Sequence, residues 1–380
     1  MKCTIERRAL LAGLGLVAEA VSATARLPIL KHVLITARAD HLVLSASDLE
    51  VTLESVVPAK GDRQGAITAP FQTLMGICRS LPADATVNLA SEDGGKLRVQ
   101  SGRSRFGMPT LNPDDFPASD ELENAEAFAL PAMVLAELLD RARHAMPQVD
   151  PRHYLNGIFL EGASPTLTTV ATNGHMLIQV IATVPEETVL PTHSVILPVK
   201  GVRACLKVLG ACSNAEALAQ VAWDYSHIKI RVGDTTVTSK LIDGKYPDYR
   251  RFIPSYRRDT GTTVRVDKQN LAPLLDRMAL MAETDGNMLG GIRLTVEPGV
   301  LKADARSTIG KATDSVDAEC TGVPREFGAN VNYLRGILAA IRQNEVQMIM
   351  DGEDRAALIQ GVLEGVPQTD MIAVLMPMRL

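Results

Sequence analysis

Apolar residues return at helical spacing three times along this chain, each time behind a short extended segment. Leu74, Ile77, Cys78 and Leu81 form the first set, Val202, Cys205, Leu206 and Leu209 the second, and Leu334, Ile337, Leu338 and Ile341 the third. The spacing i, i+3, i+4, i+7 is the face that an α-helix turns toward a core. The leading residues of the three sets lie 128 and 132 residues apart, and extended segments at 66–69, 194–197 and 326–329 precede them. Self-similarity at a fixed interval is the mark of a repeat architecture, so the pattern predicts three similar domains in tandem.

A second pairing of strand and helix recurs at 3–5 with 8–21, at 127–130 with 132–146, and at 263–266 with 268–282. Leu138-Leu139-Asp140-Arg141 even returns as Leu274-Leu275-Asp276-Arg277. Runs at 33–37, 41–46, 51–57, 158–161, 177–183, 228–232, 235–241 and 291–296 favour strands. Each domain therefore reads as two strand-helix-strands units. Helices and strands segregate instead of alternating, which predicts an α+β fold with antiparallel sheets, not a doubly wound parallel one. The expected domains are 1–123, 124–254 and 255–380. Their joints fall in the loop 111–126, with Asn112, Pro113, Asp114, Asp115 and Pro117, and in the segment 254–262. A chain of 380 residues accommodates three domains of this size, each able to bury its own core.

The net charge of −5 gives no global invitation to nucleic acid, but the distribution of charge is informative. Over 71–81, 199–209 and 331–342 the charged residues are Arg79, Lys200, Arg203, Lys207, Arg335 and Arg342, without one Asp or Glu. A solvated helix face ordinarily mixes both signs, so an all-basic face on every copy of a repeat is unusual. The five cysteines, at 3, 78, 205, 212 and 320, form no CxxC pair. Cys78 and Cys205 lie on the apolar stripe of the repeated helix, as expected for reduced core residues of a cytosolic protein. No apolar run reaches the ~18 residues of a membrane-spanning helix. Arg7-Arg8 ahead of an apolar stretch and Ala23-Thr24-Ala25 imitates a twin-arginine export signal. Glu19 interrupts that stretch, and the strand-helix opening matches those at 127 and 263, so these residues are expected to belong to the first folded repeat.

Reactive chemistry is scarce. None of the seven histidines has the spacing of a metal site, and no Walker-type glycine loop, GxSxG, HExxH or SxxK motif occurs. Asp351-Gly352-Glu353-Asp354 reads as a turn between strands, not a calcium loop. No catalytic residue, metal or cofactor is expected. Two segments combine polar groups with aromatic and apolar ones: 152–161 continuing to 171–177, and Asp243-Gly244-Lys245-Tyr246-Pro247-Asp248-Tyr249-Arg250-Arg251-Phe252. Tyr and Arg side by side are the residue types that dominate binding hot spots. The chain ends on Met376-Pro377-Met378-Arg379-Leu380, an apolar and adaptable tail.

Several motifs together resemble the beta subunit of bacterial DNA polymerase III, the sliding-clamp family. They are Leu27-Pro28-Ile29-Leu30, Ser47-Asp48-Leu49-Glu50, Ser101-Gly102-Arg103-Ser104-Arg105-Phe106, Tyr154-Leu155-Asn156-Gly157, Ala171-Thr172-Asn173-Gly174-His175, the 243–251 segment and 376–380. The resemblance covers essentially the whole chain. It implies a cytoplasmic, non-catalytic homodimer closing head to tail into a ring, with helices lining the hole and sheets outside. The ring would encircle double-stranded DNA of any sequence and act as the processivity factor of a replicative polymerase. DNA contacts implied are Arg79, His153, Tyr154, Lys200, Arg203, Lys207 and Lys240, with Arg26 two places after the family's basic position, where this chain has Thr24.

Partners implied by the resemblance are the replicative polymerase, the clamp loader and other proteins carrying short clamp-binding peptides; no membrane is involved. The peptide pocket would comprise Leu155, Thr172, Gly174, His175, Met176, Leu177, Pro247, Arg251, Phe252, Asn330, Tyr333, Val374, Met376, Pro377, Met378, Arg379 and Leu380. Met176 stands where the family carries an Arg, and Phe252 where it carries a smaller aliphatic residue. Phe106 and Met108 would meet Leu280 and Met281 of the second copy. A paralogous clamp with altered partner choice, serving repair, a plasmid or a resistance function, is the alternative reading.

Overall fold

The computed structural model describes residues 1–212, 214–256, 261–282, 290–308, 310–352 and 354–379. Six α-helices occur among them: α1 Arg7–Val17, α2 Phe71–Ser80, α3 Ala132–Ala142, α4 Val199–Ala211, α5 Lys268–Ala282 and α6 Val331–Ala340. All six fall where the apolar periodicity predicts. Two end early: α1 gives way to a 3-10 turn at Ala18–Ala20 and α3 to one at Arg143–Ala145, so the apolar stripe runs past the α-helical hydrogen bonds. Each predicted strand is present within a residue or two. The strands that periodicity missed are polar ones, such as Thr86–Glu92 and Gly310–Asp317, in which few or no positions are buried.

The chain forms two compact units. The first joins Met1–Ala136 to Glu187–Pro191 and Leu197–Ile242. Its eight-stranded sheet runs Glu126–Pro131, Leu218–Trp223, His227–Val232, Thr235–Lys240, Val51–Pro58, His41–Ser47, His32–Ala37, Gly65–Pro70. Val51–Pro58 pairs antiparallel with Thr235–Lys240, Leu53 opposite Val237, so strands of two different repeats share one hydrogen-bonded ladder. The second unit joins Glu137–Glu186 to Thr192–Ile196 and Asp243–Leu380. There Met176–Thr183 pairs antiparallel with Met371–Leu375, Leu177 opposite Val374, again across a repeat border. A segment needs its backbone donors and acceptors satisfied, and an edge strand of one repeat meets that need by adding to the next.

Side chains reinforce each unit. In the first, Gly201 brings α4 against Thr235–Lys240, where an added Cβ would lie 2.5 Å from Ser239 Oγ and Leu197 Cδ1. Arg7 donates to the carbonyls of Cys78 and Arg79 at 2.7 and 3.2 Å, and Arg8 to that of Ala83 at 3.2 Å. The paired arginines thus satisfy acceptors at and after the C-terminal end of α2, where cations are favoured. Cys3, Cys78 and Cys205 are buried, and burial pushes their thiols up, to about 11 for the first two and about 12 for Cys205. They are packing residues.

In the second unit the recurring Leu-Leu-Asp-Arg motif has a common use, because both arginines leave their helix to meet a carboxylate. Arg277 pairs with Asp314 at 2.6 Å, and Arg141 with Asp370 at 2.6 Å. Arg141 is 5 % exposed and also donates from Nε to the Ala340 carbonyl at 2.9 Å, near the end of α6. Its removal leaves two acceptors short of a donor. Arg141→Met, which keeps the apolar stem, should lower the unfolding free energy by about 2 kcal/mol, and Asp370→Asn by about 1 kcal/mol, because Asp370 stays hydrated. Urea unfolding followed by circular dichroism checks this; equal losses from the two substitutions would mean that the Ala340 contact contributes nothing.

Candidate functional site

The second unit holds a cavity of about 110 Å³ built on its cross-border ladder. Met176 opposes Leu375 and Leu177 opposes Val374 in register, so residues 199 apart in sequence share one wall. The amide of Met376 donates to the His175 carbonyl at 2.8 Å and that of Met378 to the Gly328 carbonyl at 2.9 Å, which fixes the C-terminal tail along the rim. A tight turn forms the next side. Asn173 Oδ1 accepts from the amides of His175 and Met176 at 2.9 Å, and Thr172 Oγ1 accepts from that of Gly174 at 3.1 Å. Gly174 takes φ +87°, a left-handed conformation that glycine adopts readily.

The remaining walls come from Leu155 and from 246–252. Tyr246 stacks on Phe159 with centroids 4.7 Å apart, and Tyr249 donates to Glu161 at 3.0 Å. Both phenols are held well above their ordinary range, chiefly by burial, and stay protonated. Phe252 is 59 % exposed at the mouth. The lining brings together Leu155, Thr172, Gly174, His175, Met176, Leu177, Pro247, Phe252, Val374 and Met376 from the sequence expectation. Arg152, Tyr246 and Tyr249 line it as well, and sequence reasoning passed over them. The two tyrosines sit in the aromatic and basic 243–252 motif, which was the available signal.

Other expected pocket residues stand outside the lining. Arg251 is exposed and tied to Asp248 at 2.8 Å. Tyr333 stacks on His175 with centroids 6.1 Å apart. It is placed by Asn330, whose side chain accepts from the amides of Asn332 and Tyr333 to begin α6. Pro377 and Met378 are half-buried beyond the lining, and Arg379 is open to solvent, 4.0 Å from Asp354. Leu380 lies outside the described residues.

The basic face is sharply reduced by ion pairing. On α4, Arg203 and Lys207 are exposed one turn apart and have no carboxylate partner among the described residues. Like charges at that spacing repel by about 0.2–0.5 kcal/mol, a cost that folding does not require. Lys200 differs: it pairs with Asp48 at 3.0 Å and Glu50 at 2.5 Å, which raises its pKa, the Glu50 hydrogen bond acting most strongly. The loop that supplies those carboxylates carries Leu49 at φ +74°, a conformation a leucine rarely adopts. Arg335 pairs with Asp276 at 2.8 Å and Arg342 with Glu137 at 2.5 Å. The all-basic face expected on every repeat is therefore corrected, because acids from neighbouring elements neutralise Lys200, Arg335 and Arg342. Arg26, Arg79 and Lys240 are exposed and unpaired among the described residues. His153 is exposed and half-buried Tyr154 meets it edge-on at 5.7 Å.

At the expected dimer contact, Phe106 is half-buried on Ser104–Pro109, an edge strand of its sheet. Met108 is 4 % exposed and packs into its own core, so its availability for a partner is corrected. Leu280 is 73 % exposed on α5 and Met281 half-buried beside it. No group of three His, Cys, Asp or Glu among the described residues is placed to hold a metal ion, and no described helix is long and apolar enough to cross a membrane.

Three family models of the DNA polymerase III beta subunit match in order: the N-terminal domain over residues 1–120, the central domain over 129–248 and the C-terminal domain over 250–379. The chain is 36 % identical to the beta sliding clamp of Pseudomonas aeruginosa and 33 % identical to that of Escherichia coli, covering all of each. Among solved structures, the DNA polymerase III subunit beta of P. aeruginosa superposes with a TM-score of 0.90 at 36 % identity, and a sliding clamp of Bartonella birtlesii bound to griselimycin with 0.91 at 30 %. Each covers the whole of both chains.

The turn that forms one cavity wall is the most sensitive to substitution. Gly174→Ala adds a Cβ 2.9 Å from Arg152 Nη2, a flexible contact that can give way, but the φ of +87° remains. The variant should lose about 1–2 kcal/mol of stability from backbone strain alone. Thermal unfolding against wild type checks it; an unchanged midpoint would mean that the turn relaxes.

Proposed function

The chain belongs to the bacterial DNA polymerase III beta-subunit family, the sliding clamps, and from that premise we propose that it holds DNA by enclosure and not by affinity. It is a non-catalytic processivity factor. Two copies close head to tail around duplex DNA in the cytoplasm, each contributing three domains with joints near residues 123 and 254, and the helices face the hole. The match of all three family domains, in order and over nearly the whole chain, carries this reading. The relatives described above are beta sliding clamps, so the paralogue reading is not favoured.

Duplex DNA carries a negative charge every ~1.7 Å of its axis, so cations on the inner wall attract it at any sequence. Contacts strong enough to prevent loss would also stop movement; a closed ring needs only weak ones. Arg203 and Lys207 suit that task because no neighbouring carboxylate competes for them, and Arg79, Lys240, Arg26, His153 and Tyr154 are further candidates. Lys200 already spans two carboxylates and contributes less. The cavity at Leu155, Leu177 and Val374 takes the peptides of the replicative polymerase, the clamp loader and other partners, whose apolar anchors suit its apolar lining. Ring closure adds an edge strand bearing Phe106 to the neighbourhood of Leu280 and Met281 on the second copy, a heterologous contact that closes through its geometry.

Sedimentation should give a mass near twice 40.8 kDa. Binding of a short duplex, titrated with sodium chloride by fluorescence anisotropy, should then lose about two units of salt slope in Arg203→Ala/Lys207→Ala and almost none in Arg335→Ala. A monomer, or equal loss from both variants, would contradict this assignment.

A further inference from the structure

Arg152 is the only arginine or lysine among the described residues lining the peptide cavity, and its charge is already taken up. Its Nε and Nη2 donate to the two carboxylate oxygens of Asp150 at 2.9 and 2.8 Å, a bidentate arrangement that fixes the guanidinium plane. Nη2 also reaches the Asn173 carbonyl at 3.3 Å, across the turn that holds Gly174. The guanidinium lies where a side chain at 174 would stand, so the glycine makes room for it. Asp150 is in turn anchored: its amide donates to Asn156 Oδ1 at 2.8 Å, and its side chain accepts from the Arg152 amide at 2.8 Å. Hydrogen bonds from the Arg152 side chain lead in holding the Asp150 carboxyl down to about 2, so the pair stays ionised at any physiological pH.

The arginines next along the wall are treated alike, Arg251 by Asp248 and Arg250 by Glu161. The rest of the lining is apolar or neutral, with Met176 and Met376 adaptable and Tyr246 and Tyr249 protonated. A volume of about 110 Å³ holds one large side chain, not a folded segment.

We propose that the Asp150–Arg152 pair is a specificity-determining element that masks the cavity's cation, so that the site selects peptides by one bulky uncharged anchor and is indifferent to an acidic residue beside it. This rests on the cavity being the peptide site. An acidic neighbour finds a carboxylate already bound to Arg152, and displacing it exchanges one ion pair for another with little net gain. A cation without such a partner would instead favour acidic peptides.

The test uses the full-length dimer and two fluorescein-labelled, C-terminally amidated peptides that end in Leu-Phe and differ only in Ser or Asp immediately before it. Wild type should bind both with affinities within about twofold. Asp150→Asn, which keeps the side-chain shape but frees Arg152, should favour the Asp peptide by about three- to fivefold, a preference that fades at high salt. Met176→Lys adds a cation to the lining and should create the same preference, showing that charge at this depth is readable. Sedimentation and circular dichroism confirm that both variants remain folded dimers. A wild type that already favours the Asp peptide overturns the proposal, and so does an Asp150→Asn variant with no such gain, whatever Met176→Lys does. If neither peptide binds wild type, the cavity is not the peptide site, and that reading fails along with the proposal.

Discussion

Backbone hydrogen bonds across the repeat borders are the constraint on which the rest of this structure depends. Val51–Pro58 with Thr235–Lys240, and Met176–Thr183 with Met371–Leu375, turn separate repeats into shared sheets. The second ladder also builds the cavity, since it sets Met176 and Leu177 beside Val374 and Leu375 and aligns Met376 with His175. A slip of one residue would turn every side chain on that wall to the other face. The first ladder has a parallel consequence, because it brings the loop bearing Asp48 and Glu50 to the start of α4, where Lys200 is held.

Charge is arranged by the same economy. Most basic residues of the repeated helices meet a carboxylate from a neighbouring element, which ties elements together and leaves little field in solvent. Arg203 and Lys207 depart from that pattern, repelling one another on an exposed turn without an acid nearby. The cavity shows the complementary case, an arginine whose charge is cancelled by its own neighbour. Free cations then belong to a surface for polyanions, and masked ones to a site for apolar anchors.

Much of the fold was legible in sequence because apolar periodicity survives wherever a helix or strand buries one face. The six helices and the strand openings before them carry that pattern. Strands such as Gly310–Asp317, exposed or half-buried along their length, leave no apolar signal and went unread. The cavity was legible in outline through its motifs, whereas Arg152, Tyr246 and Tyr249 belong to it for reasons of three-dimensional neighbourhood. Ion pairing was the least legible property. Asp276 lies 59 residues before Arg335, and Glu137 lies 205 before Arg342, so no local window announces that those cations are neutralised. Met108 likewise looks available in sequence and proves to be core.

Repeats that share sheets resist bending at their borders, and a closed assembly of such bodies opens rarely unless forced. Persistence on DNA then depends on whether the duplex has an end, and hardly on how tightly Arg203 and Lys207 grip it. The most direct measurement is the lifetime of the loaded dimer on a nicked circular duplex, followed before and after a single restriction cut. The account predicts long retention on the circle and rapid loss once ends exist, with the loss prevented by a bulky block at both ends. Equal dissociation rates from circular and linear duplex would contradict it.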